Sequence, residues 1–140
     1  ELSWVPVLST YARKIGCFNV KRNDKARSWH VLKDAINKEA ENQSGQLVIY
    51  PEGTRTKPGQ EVKYKKGVLV LFSNLKRPLY LVSTNAGVAW SKNGGFKYNA
   101  TAIINFIEKI NYSKKEELHL DYIKENIERD SLKLYNEEAS

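Results

Sequence analysis

Residues Gln46-Leu47-Val48-Ile49-Tyr50 form a short run that is apolar at every position after the first, and it stops against Pro51-Glu52-Gly53-Thr54-Arg55. A short apolar run of this length predicts a buried strand, and a proline directly after it closes the ladder. On its amino-terminal side, Lys25 to Glu41 carries Trp29, Leu32, Ile36 and Ala40 at helical spacing, with Asn23-Asp24 as an N-cap and Ser44-Gly45 as the break. That pattern predicts an amphipathic helix. On the other side a polar, Lys-rich loop runs through Gly59 to Lys66, followed by a short buried helix from Val68 to Leu75 and a strand from Leu79 to Ser83. Asn93-Gly94-Gly95 marks a turn, and Ala100 to Ile107 predicts a further strand. Strands alternating with helices of crossover length exclude a sandwich or a helical bundle. They lead to an α/β fold with a mixed, largely parallel sheet flanked by helices.

The two ends extend this pattern. A short helix is expected from Pro6 to the Arg13-Lys14-Gly16 stop, and a brief strand from Cys17 to Lys21. The acidic tail over 114–138 carries Leu118, Tyr122, Ile123, Ile127 and Leu132 at three- and four-residue spacings, which predicts a surface helix with one face on the domain. One domain over 1–140 is the expectation for 140 residues. A hydrophobic content of 41% excludes disorder throughout, and the single Cys17 excludes a disulfide scaffold and fits a reducing compartment. No run approaches the length of apolar sequence that a membrane-spanning helix needs. With no methionine in the sequence, the chain is expected to be a processed product or part of something longer.

Charge is unevenly distributed. The chain has 23 basic and 16 acidic side chains, a net of +7. Residues 1–107 hold 17 basic and 7 acidic groups (+10), and residues 108–140 hold 6 and 9 (−3). The basic part is the one that would face an anionic partner: nucleic acid, a membrane surface or a phosphorylated small molecule. Lys outnumbers Arg by 17 to 6, which weighs against nucleic acid, where planar bidentate recognition favours Arg.

Tyr50-Pro51-Glu52-Gly53-Thr54-Arg55 is the segment richest in chemistry. Glycine permits a tight turn with exposed backbone N–H groups, and Arg55 offers a planar fork for an oxyanion. Glu52 repels phosphate, so its work is to hold Arg55, to accept a hydroxyl proton or to fix the turn. An ordinary surface turn is the alternative. Lys21-Arg22 also ends a strand-like run, and strand ends that share one side of a parallel sheet would bring Arg22 and Arg55 to one anion. Lys63, Lys65 and Lys66 add positive charge, with Lys66 singled out because it abuts the next helix.

Gly16-Cys17-Phe18-Asn19-Val20-Lys21-Arg22, then Tyr50-Pro51-Glu52-Gly53-Thr54-Arg55, then Arg77-Pro78-Leu79-Tyr80-Leu81-Val82-Ser83 resemble, in order and separation, the second, third and fourth motifs of the glycerolipid acyltransferases. The resemblance is strongest to 1-acylglycerol-3-phosphate acyltransferases of bacterial type, and it extends from Leu2 to about Ile127. It implies acyl transfer from acyl-CoA or acyl carrier protein to lysophosphatidic acid, giving phosphatidic acid for phospholipid biosynthesis, with no cofactor beyond the thioester co-substrate. By the same resemblance Arg22 and Arg55 would hold the acceptor phosphate, with Glu52, Gly53 and Thr54 shaping the loop. The location implied is the cytoplasmic face of the cell membrane, peripheral or anchored by segments before Glu1. Leu81 stands where the family commonly has a second proline.

The family's His-x4-Asp motif, whose His deprotonates the acceptor hydroxyl, is not in this sequence. His30 is followed by Asp34 and His119 by Asp121, so neither fits. The chain is therefore expected to be a carboxy-terminal, acceptor-binding part, inactive alone, with the dyad before Glu1. A non-catalytic module for anionic lipid or nucleic acid is the alternative reading, although Trp29 and Trp90 are more simply core or interface residues and no nucleic acid is expected. Cys17 has no paired His in reach, and no metal-ligand cluster is visible.

Overall fold

The computed structural model describes residues 30–31, 33–34, 36–38, 46–56, 59–90, 95, 97 and 99–139. The chain divides into two compact units, Glu1–Leu47 and Val48–Ser140. In the first unit the described residues within 30–38 are helical, with Ile36 half-buried and His30, Lys33, Asp34 and Lys38 exposed, as the amphipathic spacing predicts. The expected helix near Pro6 and the strand from Cys17 to Lys21 lie outside the described residues.

In the second unit, helix α1 spans Gly67–Leu75 and buries Val68, Leu71 and Phe72, a one-sided i, i+3, i+4 stripe. Each of those side chains contributes roughly 1.5–3 kcal/mol by leaving water. Lys76 then adopts a left-handed conformation, φ 52°, and Pro78 two residues on cannot continue the helix. Strand β1, Leu79–Thr84, pairs antiparallel with β2, Ile104–Ile110, with Leu79 opposite Ile110 and Thr84 opposite Ile104. Helix α2, Leu120–Ala139, packs on this hairpin. The core is Tyr64, Val68, Phe72, Leu81, Ile110, Leu118 and Ile123.

The unit is thus a small α/β arrangement. Among the described residues the sheet is two-stranded and antiparallel, so the parallel pairing expected from the strand–helix alternation is not seen there. Residues 46–50 alternate in exposure, but they join no ladder with described residues. Ile49 packs on the core, while Val48 and Tyr50 are 73% and 75% exposed. A parallel neighbour would have to arrive through a crossover, and the preceding segment is outside the described residues.

Two element boundaries also move. The strand expected over Ala100–Ile107 begins at Ile104 and continues to Ile110, because the backbone before it takes side-chain partners. Thr101 N donates to Glu138 Oε1 at 2.7 Å, and Ile103 N to Asn85 Oδ1 at 2.7 Å. The helix expected over 114–138 begins at Leu120. Ahead of it, a tight 3₁₀ turn at Tyr112–Lys114 is held where Tyr112 packs edge-on against Phe72 and donates to Ser73 O at 3.2 Å.

Helix α2 docks through apolar and polar contacts together. Ile123 and Leu134 are buried on its inner face, and Leu120 and Ile127 pack against the core. Asp130 lies between them at helical spacing and accepts hydrogen bonds from the fully buried Ser83 Oγ and from Asn105 Nδ2, cross-strand partners in the hairpin. The expected contact residue Leu132 is 41% exposed, and Leu134 takes the buried position.

Candidate functional site

Gly53 N donates to Tyr50 O at 3.1 Å, which closes a β-turn with Pro51 at its second position and Gly53, φ 67°, at its fourth. Proline presets the φ that this turn needs, and a glycine is favoured where the chain leaves it left-handed. Lys65 N donates to Pro51 O at 2.7 Å, pinning the turn to the 61–66 segment that leads into α1. Thr54 and Arg55 follow as exposed residues.

Glu52 is half-buried, and its Oε2 accepts from Thr56 Oγ1 at 2.9 Å. Among the described residues no ion pair joins it to Arg55. Of the roles open to this carboxylate, fixing the turn is the one with a partner. Burial pushes its pKa up, the Thr56 bond opposes this, and the nearby charge of Glu128 on α2 pushes it further up. Glu128 is itself engaged: the buried Tyr64 donates to its Oε1 at 2.9 Å. Burial, followed by that bond, drives the Tyr64 phenol far above its usual range. The turn, the 61–65 segment and the acidic helix therefore meet in one polar cluster.

Of the residues singled out from the sequence, Glu52 and Gly53 lie in this turn, and Thr54 and Arg55 directly follow it. Lys66 is exposed at the N-cap of α1, where its side chain makes no capping bond. Arg22 lies outside the described residues. Leu81 is 1% exposed in β1, and the ladder shifts register directly after it. His30 and His119 are exposed. A hollow of about 460 Å³ lined by Arg129, Leu132, Lys133, Asn136 and Glu137 is an open trough along α2 and shares no residue with the turn. Among the described residues no helix is long and apolar enough to cross a membrane.

Sequence reasoning missed Thr56, Tyr64 and Glu128. Tyr64 leaves one signal, an aromatic side chain set among Lys63, Lys65 and Lys66 where a solvated loop has no use for it. Glu128 leaves none, since its partner is 64 residues away.

The family model described as Acyltransferase matches residues 1–85, more than half of the chain. A protein named 1-acyl-sn-glycerol-3-phosphate acyltransferase from Limnanthes douglasii is 26% identical over 79% of this chain and 40% of its own length. Proteins of the same name from Pseudomonas aeruginosa and Cocos nucifera are 40% and 23% identical, over 39% and 91% of this chain and 21% and 41% of their own lengths. The chain thus spans less than half the length of these curated relatives. No solved structure matches it significantly.

Proposed function

Since the chain belongs to the acyltransferase family, whose model covers residues 1–85, we propose that it supplies the acceptor-phosphate-binding part of a 1-acylglycerol-3-phosphate acyltransferase of bacterial type. The observation that carries this reading is the Pro51–Gly53 turn, which presents Thr54 and Arg55 to solvent while Glu52 is turned aside to Thr56. An arginine whose neighbouring carboxylate is occupied elsewhere is suited to bidentate bonds with a phosphate.

In this proposal Arg55 and Arg22 hold the phosphate of lysophosphatidic acid, Gly53 and Thr54 shape the loop, and Lys66 adds positive charge. The acceptor hydroxyl attacks the thioester carbonyl of acyl-CoA or acyl carrier protein. A C–O bond forms, the C–S bond breaks, and the hydroxyl proton leaves through a base to the departing thiolate. That base belongs to a His-x4-Asp pair, which these 140 residues do not contain. The 140 residues alone are expected to show no transfer from acyl-CoA to lysophosphatidic acid, and turnover abolished by His30→Ala would contradict this. The antiparallel hairpin is one part of a mixed, largely parallel sheet. The basic face lies on the cytoplasmic side of an anionic membrane, with attachment peripheral or through segments outside these residues.

Titration of the chain with lysophosphatidic acid below its micelle concentration tests the reading. Arg55→Lys keeps the net charge but loses the planar fork, and it should weaken binding by about 1–3 kcal/mol, the range for hydrogen bonds to charged groups. Neutralising Lys97, which is exposed and outside the motifs, should change little. A silent Arg55→Lys beside an equally damaging Lys97→Gln would leave only a diffuse positive surface.

A further inference from the structure

Three lysines precede α1, and they are not equivalent. Lys65 is fixed from two directions: its backbone N–H is bonded to Pro51 O at 2.7 Å, and its neighbour Tyr64 is buried and bonded to Glu128. Exposure alternates along this stretch, with Glu61, Lys63 and Lys65 exposed, Val62 half-buried and Tyr64 buried, so successive side chains point to opposite sides. Burying Tyr64 therefore turns Lys65 away from the core and over the turn. Its stem lies along Gly53: a Cβ on that glycine would meet Lys65 Cγ at 3.7 Å and Cε at 3.8 Å. A lysine stem laid on a bare glycine delivers its ammonium at the edge of that glycine while the methylenes cover backbone. Among the described residues no carboxylate pairs with this ammonium, and the nearby Glu52 is bonded to Thr56.

We propose that Lys65 is a phosphate-binding residue of the Pro51–Arg55 turn, reaching the anion across the uncovered face of Gly53 and acting with Arg55. The inference rests on the reading that this turn holds an acceptor phosphate, and it adds a ligand whose position depends on the Pro51–Lys65 backbone bond. Arg55 supplies the planar fork, and Lys65 a compact charge that follows the phosphate rather than the glycerol. Gly53 supplies the left-handed φ of the turn, and the lysine stem runs beside it at ordinary contact distance.

The experiment is a titration of the 140-residue chain with glycerol 3-phosphate, and with inorganic phosphate in a second arm, followed by NMR of backbone amides and lysine side chains. Lys65→Gln preserves the backbone bond to Pro51 and should weaken glycerol 3-phosphate binding roughly five- to tenfold, whereas Lys97→Gln should stay within about twofold. Lys65→Arg should retain most of the affinity. In the parent chain the Lys65 ammonium resonance should move on titration, which a stem that merely covers Gly53 would not produce. Unchanged Phe72 and Ile123 amides would show that each variant is folded. If Arg55→Gln loses binding while Lys65→Gln does not, Lys65 is structural and the proposal fails, with the phosphate reading of the turn intact. If neither substitution affects binding, both readings fall.

Discussion

Tyr64 and Glu128 meet across 64 positions of sequence, the buried phenol donating to the carboxylate at 2.9 Å. The bond ties the segment behind the Pro51–Arg55 turn to the middle of α2, and Glu128 in turn acts on Glu52 through its charge. Removing the hydroxyl with Tyr64→Phe leaves Glu128 facing a second carboxylate without a donor. The loss should be about 1–3 kcal/mol of unfolding free energy, as for other hydrogen bonds to charged groups. Tyr122 makes a shorter bond, 2.7 Å to Glu108, but on an exposed surface, so Tyr122→Phe should cost much less. Urea denaturation of the two variants compares them directly, and equal losses would show that burial is irrelevant to the Tyr64 bond.

Gly53 sits at φ 67°, with room for a methyl group at ordinary contact distance from Lys65. The cost of Gly53→Ala therefore comes from the backbone and not from space, and should be about 1–2 kcal/mol. Gly53→Asn should recover part of it, because asparagine tolerates the left-handed region. Thermal unfolding of the pair gives the order, and an alanine variant as stable as the parent would mean that the turn relaxes to another conformation.

Asp130 and Glu52 respond to pH in opposite senses. Hydrogen bonds from Ser83 and Asn105 hold the Asp130 carboxyl below the ordinary value of 3.8. Its contribution is complete above 3.8 and is lost as the pH falls through the lowered value. Burial raises the Glu52 pKa above the ordinary 4.5, so its contribution is complete below 4.5 and is lost as the pH climbs through the raised value. Asp130→Asn should flatten the acid side of a plot of denaturation midpoint against pH. Glu52→Gln, still able to accept from Thr56, should instead lift the neutral side. A slope below pH 3.8 that survives Asp130→Asn would assign the acid sensitivity elsewhere.

The net charge of +7 should give weak association with anionic vesicles, each basic residue near the surface contributing about 1 kcal/mol. Raising the salt should abolish it, since the screening length shrinks to about 3 Å at 1 M. Co-sedimentation that ignores salt, or that is equal on neutral vesicles, would point to apolar docking through exposed groups such as Phe106 and Ile104.

Elements whose signal is local were legible. The α1 stripe of Val68, Leu71 and Phe72, the strand from Leu79 and the turn after Tyr50 each follow from spacing or from proline and glycine placed where backbone geometry needs them. What escaped depends on partners distant in sequence. Asp130 reads as one more acid on a charged tail until Ser83 and Asn105 are set beside it. The true start of β2 escaped because Thr101 and Ile103 look like good strand formers, yet their N–H groups are taken by Glu138 and Asn85. Its end at Ile110 escaped because regular alternation fails near Glu108. The role of Lys65 turned on a contact with Gly53 that no periodicity encodes.

That failed alternation has its source in the register shift opposite Leu81 and Val82, where Leu81 faces Glu108 and Val82 already faces Phe106, leaving Ile107 without a counterpart. The extra residue works like a frameshift in the side-chain code of β2. Before it, Asn105 is turned toward α2 while Ile104 and Phe106 are exposed; after it, Lys109 is exposed and Ile110 is buried. Odd positions face inward in one half of the strand and even positions in the other. The two halves can therefore carry independent cargoes: a polar clamp on Asp130 at one end and an apolar plug at the other, joined by a single residue that lets each keep its own parity.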